Sequence, residues 1–388
     1  LSGKAVYLHS SEYQQYKFAP EHPFNPLRLT ITRDLIEACR LFSGNEIQEP
    51  RIATREELCL VHSPGYVAKV EAAGTGGENT AGWANYGLGT EDNPVFPHMH
   101  ASCSLIVGST LTAAQMVMEG KAEHAVNLAG GLHHAHRSQA SGFCIYNDAA
   151  VAIAFLKQKY GARVVYIDSD AHHGDGVQWL FYEDPDVLTV SFHETGRYLF
   201  PGTGSERELG RGAGYGYALN VPLEAFTEDD SWLEGFRNLV FPVVRQFRPD
   251  IIISQNGCDG HWLDPLSDLC ATLRTYREIP RMVHQLAHEA SAGRWVALGG
   301  GGYDYWRVVP RAWTLLWAEI TGRTVPDKTP EEWRARWQTQ SPVSLPEKML
   351  DSPGDYQPIP RRREIEEKNA LTVDKVLTAV RQVWLASD

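Results

Sequence analysis

The sequence predicts an α/β fold around a mostly parallel sheet, on three observations. Short β-branched runs alternate with longer helical patterns from the first residues to about residue 320, the order of elements that builds helices onto one sheet. Most of the strand candidates run straight into polar or glycine-rich sequence. With 388 residues, 43% of them hydrophobic, the chain can bury a large core, and no break in composition divides the alternating stretch. The reading is one catalytic domain over 1–321, with a proline-rich arm and helix over 322–388 packed on it.

The segment KAVYLHS (4–10) is the first strand candidate. Leu27, Ile31, Leu35 and Cys39 then recur at helical spacing until Gly44 offers a stop. Further helical patterns cover 99–119, 148–160, 228–247 and 271–290. Between them lie buried-strand candidates: HAVNLAG (124–130), RVVYIDSD (163–170), DVLTVSFH (186–193), PDIIISQNG (249–257) and RWVALGGGG (294–302). Residues 194–218 form a glycine-rich loop whose length points to function. Seven of the 22 prolines fall in 326–360, which reads as an ordered arm before a last helix over roughly 370–386.

Composition bounds the partners. Lys and Arg total 36 against 48 Asp and Glu, a formal charge of −12, which argues against nonspecific attraction to nucleic acid or anionic membrane. The six cysteines form no CxxC pair, so a disulfide framework or cysteine-rich metal site is not expected and a reducing setting fits. No run approaches the roughly 20 apolar residues of a membrane span, and the first residues do not resemble a signal peptide. A cytoplasmic protein is expected.

Open parallel sheets bind ligands beyond the carboxyl ends of their strands, so the chemistry is sought there. Asp168, Asp170 and His172 occupy successive i, i+2 positions as a strand ends, and an extended chain points them to one side. Carboxylate and imidazole converging in this way suit a divalent ion such as zinc, and Asp259, after another apolar strand, offers a third ligand. The bland reading, turn-forming polar residues, is disfavoured by five acidic or His residues within eight positions. His133 and His134 follow a third strand, and adjacent imidazoles suit proton transfer near neutral pH. His136 and His173 offer no evident role. Four glycines, Gly299 to Gly302, bring the phenol of Tyr303 to the same strand-end crevice. No Walker A loop, dinucleotide fingerprint, HExxH or GxSxG is present. Cys144 and Cys258 lie beside the site, where a buried free thiol is ordinarily inert packing.

Together these segments resemble the zinc-dependent histone deacetylase family. The motifs are EHPFNPLR, NYGLG, GGLHHA with SGFCIYND, VVYIDSDAHHGDGVQ, VSFH with FPGTG, QNGCD with LDPL, and LGGGGYDYW, in that order over roughly residues 5–320. The opening HSSEYQQYKFAPEHPFNP and YGLGTEDNPVF look most like the bacterial acetoin-utilization subgroup. The resemblance implies a three-layer α/β/α arginase/deacetylase fold and one zinc held by Asp170, His172 and Asp259. It implies a catalytic pair His133 and His134 backed by Asp168 and Asp175, with either histidine as base. Tyr303 is the implied phenol that polarises the substrate carbonyl. A structural potassium ion maps to Asp168, Asp170, His172, Ser191 and Phe192. Phe143 and Phe200 wall an acyl-lysine channel, with Gly142, Leu199 and Leu266 near it and Asp92, or Glu91, at its rim. Arg28 matches an arginine of an inner acetate cavity. The implied partner is an acetylated protein or peptide, more a metabolic enzyme such as an acyl-CoA synthetase than chromatin; oligomeric state is not implied.

Three other readings share the fold. A two-manganese arginase-type hydrolase needs D-A-H-x-D, but Gly174 follows His173 here, and His261 stands where a second carboxylate would be. Ferrous iron also suits the His and carboxylate set. An acetylpolyamine amidohydrolase would use the same machinery on a thin cation. An inert acyl-lysine binder is disfavoured because Tyr303, both histidines and all three ligands are present.

Overall fold

The computed structural model describes residues 4–76 and 82–385. Its strands are β1 (Ala5–Leu8), β2 (Ile47–Gln48), β3 (His124–Asn127), β4 (Val164–Asp168), β5 (Val187–Glu194), β6 (Ala218–Leu223), β7 (Ile251–Gln255) and β8 (Trp295–Leu298). All neighbours pair in parallel, in the order β2-β1-β3-β8-β7-β4-β5-β6. Strands β3, β4, β7 and β8 are buried along their whole length, because helices cover both faces. This is why they read as unbroken apolar runs without alternation.

The helices are α1 (Leu27–Ala38), α2 (Arg55–Leu58), α3 (Pro64–Gly74), α4 (Met99–Met118), α5 (Asp148–Tyr160), α6 (Asp175–Leu180), α7 (Asp229–Phe247), α8 (Leu273–Ala290), α9 (Val309–Thr321), α10 (Glu331–Gln338) and α11 (Arg362–Leu385). One layer holds α4 packed on α3 and α5; the other runs α1, α9, α8, α7, α11. Helix α4 is long and apolar enough to cross a membrane by length and composition alone, a property that Ser, Thr and Gly within it hide from a search for unbroken apolar runs. It is a core helix here, with 72% of its most apolar stretch buried.

Register aligns the functional edge. Asn127 pairs with Leu298, Leu298 with Gln255, Gln255 with Asp168, and Asp168 with Ser191, so the polar strand ends stand in one row. From β3 the chain reaches β4 three places across the sheet, with β8 and β7 entering later between them. That switch in strand order opens the crevice.

The structure departs from the sequence reading at several elements. Helix α9 was not foreseen, although Val309, Ala312, Trp313, Leu316, Trp317 and Ile320 recur at helical spacing; nearly every residue of it is buried. Strand β6 follows the glycine-rich loop directly and, among the described residues, pairs with β5 alone. Helix α11 starts at Arg362, not near 370, and its charged first turns are held from outside. Arg362 Nε and Nη2 donate to Glu228 at 2.5 and 2.6 Å, and Asn369 Nδ2 donates to Thr227 and Ser231. The proline-rich arm lays Trp333, Trp337, Leu345 and Met349 against Ile31 and Leu35 of α1.

Candidate active site

Two strand ends supply the three candidate metal ligands. Asp170 and His172 follow β4 and Asp259 follows β7; their ligand atoms lie within 4.8 Å of one another, all buried. His172 Nδ1 stands 3.1 Å from Asp170 Oδ1 and 2.9 Å from Asp259 Oδ2. Backbone and amide donors fix the carboxylates: Gln255 Nε2 and Gly301 N each donate to Asp170 Oδ2 at 2.6 Å, and Ala171 N donates to Asp259 Oδ1 at 2.8 Å. Burial and the nearby Asp170 push the Asp259 carboxyl up to about 6. Two carboxylates crowded beside one imidazole, away from water, form a donor set that a divalent cation satisfies, and zinc fits it.

Close approach of the β8 loop completes this corner. A Cβ on Gly301 would lie 2.0 Å from Asp259 Oδ2 and 2.8 Å from Asp170 Oδ2, so only glycine lets the backbone N–H reach Asp170. Beyond it, Tyr303 turns its ring toward His172, at a centroid distance of 6.5 Å. Its phenol is held well above the ordinary range by burial and by Asp259 and Asp170. Its backbone N–H donates to Asp264 Oδ2 at 2.7 Å, while Asp264 Oδ1 accepts from Leu266 N at 3.0 Å. Asp264 therefore ties the phenol's loop to the loop bearing Leu266.

The tandem histidines meet through their Nε2 atoms, 3.0 Å apart, and each is backed by a carboxylate. His133 Nδ1 lies 2.8 Å from Asp168 Oδ2 and His134 Nδ1 2.6 Å from Asp175 Oδ1. Burial opposes charge on both imidazoles. Asp168 and Asp170 overcome it at His133, raising its pKa to about 9, whereas His133 itself adds to the burial at His134 and holds that ring down to about 4. Two facing imidazoles cannot both be protonated, so one proton resides on His133 and His134 stays neutral. His136, without an evident role in the sequence, lies 3.3 Å from Asp175 Oδ2. His173 contacts Thr203 and Gln178 instead. Tyr166 also donates to Asp168 Oδ2, at 2.8 Å.

Aromatic side chains flank this centre. The Phe200 ring packs at 5.0 Å on His134 and 6.5 Å on His172, and the Phe143 ring at 5.8 Å on Tyr303. Gly142 sits between His134 and Phe200, where a Cβ would meet both. Phe143 adopts a φ of 68°, and its carbonyl accepts from Tyr16 Oη at 2.6 Å. Leu199 and Leu266 are half-buried. Asp92 and Glu91 are exposed; the Asp92 carbonyl lies 3.3 Å from His22 Nε2, and the His22 ring packs at 4.6 Å on Phe143. Arg28 is buried behind the glycine loop and donates to Gly300 O at 2.8 Å and Gly302 O at 3.2 Å. Ser191 Oγ lies 2.8 Å from His193 Nδ1, and Phe192 is buried beside it. Burial pushes the thiols of Cys144 and Cys258 well up, which removes them as nucleophiles at neutral pH.

Sequence reasoning missed His136, Asp264, Tyr166, Gln255 and His22. Asp264 and His22 lie inside motifs already noticed, LDPL and EHPFNPLR, but their partners are distant in the chain.

Residues 22–320 match the family model described as histone deacetylase domain. The chain is 56% identical over 377 residues to the acetoin utilization protein AcuC of Bacillus subtilis (strain 168), covering 97% of each. It is 46% identical over 369 residues to the AcuC of Staphylococcus aureus (strain MSSA476), covering 95% of each. The crystal structure of an HDAC homolog from Aquifex aeolicus superposes with a TM-score of 0.84 at 32% identity, covering 94% of this chain and 99% of that one; a structure of an HDAC homolog complexed with SAHA matches equally. With the all-parallel sheet of the arginase/deacetylase type and these relatives, the chain belongs to the histone deacetylase family, as a hydrolase of the deacetylase type.

Proposed function

We propose that this protein removes acetyl groups from lysine side chains of a protein substrate, a metabolic enzyme such as an acyl-CoA synthetase, with one catalytic zinc held by Asp170, His172 and Asp259. The observation that carries the reading is the meeting of three features at one row of strand ends. These are a buried ligand triad, a carboxylate-backed histidine pair and a protonated phenol. When bound, zinc supplies Lewis acidity toward the amide carbonyl and lowers the pKa of a water.

The remaining chemistry belongs to this chain's own residues. His134, kept neutral, accepts the proton of the attacking water at Nε2, and Asp175 on its Nδ1 stabilises the imidazolium that forms. The Tyr303 hydroxyl donates a hydrogen bond to the carbonyl oxygen as negative charge develops there. The imidazolium of His134 then returns the proton to the departing lysine amine, so acetate and a free amine leave with no net change in the enzyme. The charge that favours a proton on His133 would be offset by a divalent ion on Asp170, so the pair would start the step neutral and carry a single proton while His134 is charged; Asp168 holds His133 through Nδ1. Phe143 and Phe200 flank the acyl-lysine stem and exclude water, with Gly142, Leu199 and Leu266 completing the channel. Asp92, at the rim, holds the substrate backbone, and Arg28 accommodates acetate behind the glycine loop. A potassium ion is assigned to oxygens of Asp168, Asp170, His172, Ser191 and Phe192; the facing register of Asp168 and Ser191 supports it.

The test pairs two substrates. Purified protein is expected to release acetate from an acetyl-lysine peptide, and to lose this activity on chelation and regain it with zinc. Turnover of acetylspermidine with none of the peptide would move the assignment to a polyamine deacetylase.

A further inference from the structure

At the opposite edge of the sheet a second group of imidazoles converges, remote from the crevice. His124 is the first residue of β3, while His284 and His288 lie one turn apart on the same face of α8. The Nε2 atoms of His124 and His284 are 3.1 Å apart, and those of His284 and His288 are 3.0 Å apart. Ligand atoms of all three lie within 4.8 Å of one another. The rings do not stack: His124 meets the other two nearly edge-on, at 88° in each case.

Hydrogen bonding among the three does not close. His284 Nδ1 lies 2.8 Å from Glu319 Oε1 on α9 and therefore carries its proton there. Neutral His284 then presents one unprotonated Nε2, with one lone pair, to two neighbouring nitrogens. Among the described residues no side chain holds the buried Nδ1 of His124; the backbone of Gly293 and Glu123 lies beside the ring. A cation at the point of convergence accepts all three lone pairs. Nitrogens bound tetrahedrally at 2.0–2.1 Å would stand about 3.3 Å apart, close to the spacing found.

The surroundings match such an ion. A carboxylate on the far nitrogen of a ligating histidine fixes its tautomer and raises its basicity. Glu319 does this for His284, and Glu123 lies 3.5 Å from His288 Nδ1. Two carboxylates around three neutral imidazoles offset the charge of one divalent ion. His288 is partly exposed, which gives the ion an entry path.

We propose that His124, His284 and His288 bind a second divalent transition ion that favours imidazole, zinc foremost, clamping β3 to α8 with Glu123 and Glu319 as supporting carboxylates. The ion ties the amino end of the sheet together and takes no part in deacetylation.

Zinc counting on the full-length chain tests this. After metal removal and dialysis against zinc, the unaltered protein is expected to hold two equivalents, Asp259→Asn one, His288→Gln one, and the double variant none. Glu319→Gln is expected to weaken the second equivalent by about 10- to 100-fold. Two equivalents retained in His288→Gln, or a single equivalent in the unaltered chain that only Asp259→Asn removes, would overturn the proposal. Crystals of the unaltered protein soaked in zinc give a check that needs no variant. An anomalous peak among the three Nε2 atoms supports the site, and its absence there refutes it.

Discussion

Tyr303 and Gly301 show how single atoms set the site. Burial beside Asp259 and Asp170 keeps the Tyr303 phenol protonated, so it is a hydrogen-bond donor throughout the neutral range. Tyr303→Phe removes that donor and is expected to lower kcat on an acetyl-lysine peptide by about 10²- to 10³-fold with little change in KM. A loss under tenfold would rule out the role. In Gly301→Ala the new methyl would overlap Asp259 Oδ2, so the carboxylates must move; zinc retained after dialysis is expected to fall well below that of the unaltered chain, by elemental analysis. At this scale the sequence was readable where chemistry is local. Asp170, His172, Asp259 and Tyr303 stand out as polar residues directly after apolar strands. His136 did not, because its partner Asp175 lies on α6 and only the turn between β3 and α5 brings the two together.

Among the elements, the loop carrying the tandem histidines depends on the start of α5. Asn147 caps that helix through Ala150 N and donates from Nδ2 to the carbonyls of His133 and Ala135, at 3.1 and 3.0 Å. Asp148 accepts from Gly131 N and Leu132 N. His62 closes the arrangement: its Nδ1 donates to His136 O at 3.0 Å and its Nε2 accepts from Asn147 N at 3.0 Å. Burial lowers the pKa of His62 to about 4. The unfolded chain protonates this residue near 6.5 and the folded one only near 4, so between those values the unfolded state binds more protons. His62 therefore costs nothing above pH 6.5, destabilises progressively as pH falls below it, and reaches its limit of about 3 kcal/mol below pH 4. Denaturant midpoints measured from pH 7 to pH 4 are expected to fall less steeply in His62→Gln; identical slopes would refute the assignment. Helix α5 was legible because its caps, Asn147 and Gly161, are local, whereas α9 was passed over although Val309, Ala312, Trp313, Leu316, Trp317 and Ile320 recur at helical spacing.

For the whole molecule, we propose that the C-terminal arm is part of the catalytic unit. Asp351, in the arm, lies 3.0 Å from His261 Nε2 and 3.1 Å from Arg311 Nη2, and accepts from Leu273 N at 2.8 Å. His261 stands two residues after the proposed ligand Asp259, so the arm braces the loop that carries it. Asp351→Ala leaves the buried Arg311 without its carboxylate and is expected to destabilise the protein by about 3–5 kcal/mol in denaturant unfolding; a change below about 1 kcal/mol would show that the arm is dispensable. Helix α11 adds Val373, Val376, Val380 and Trp384 to the main core. By itself the sequence determined the α/β class, the strand ends that carry chemistry and the residue types at each, because burial pattern and turn chemistry are written over a few neighbouring positions. Only the tertiary structure decided that His124 meets His284 and His288, that Asp264 anchors Tyr303, and that Asp351 braces the Asp259 loop. Those pairings join residues tens to hundreds of positions apart, and the strand order and helix packing that bring them together are set by the burial of the whole chain.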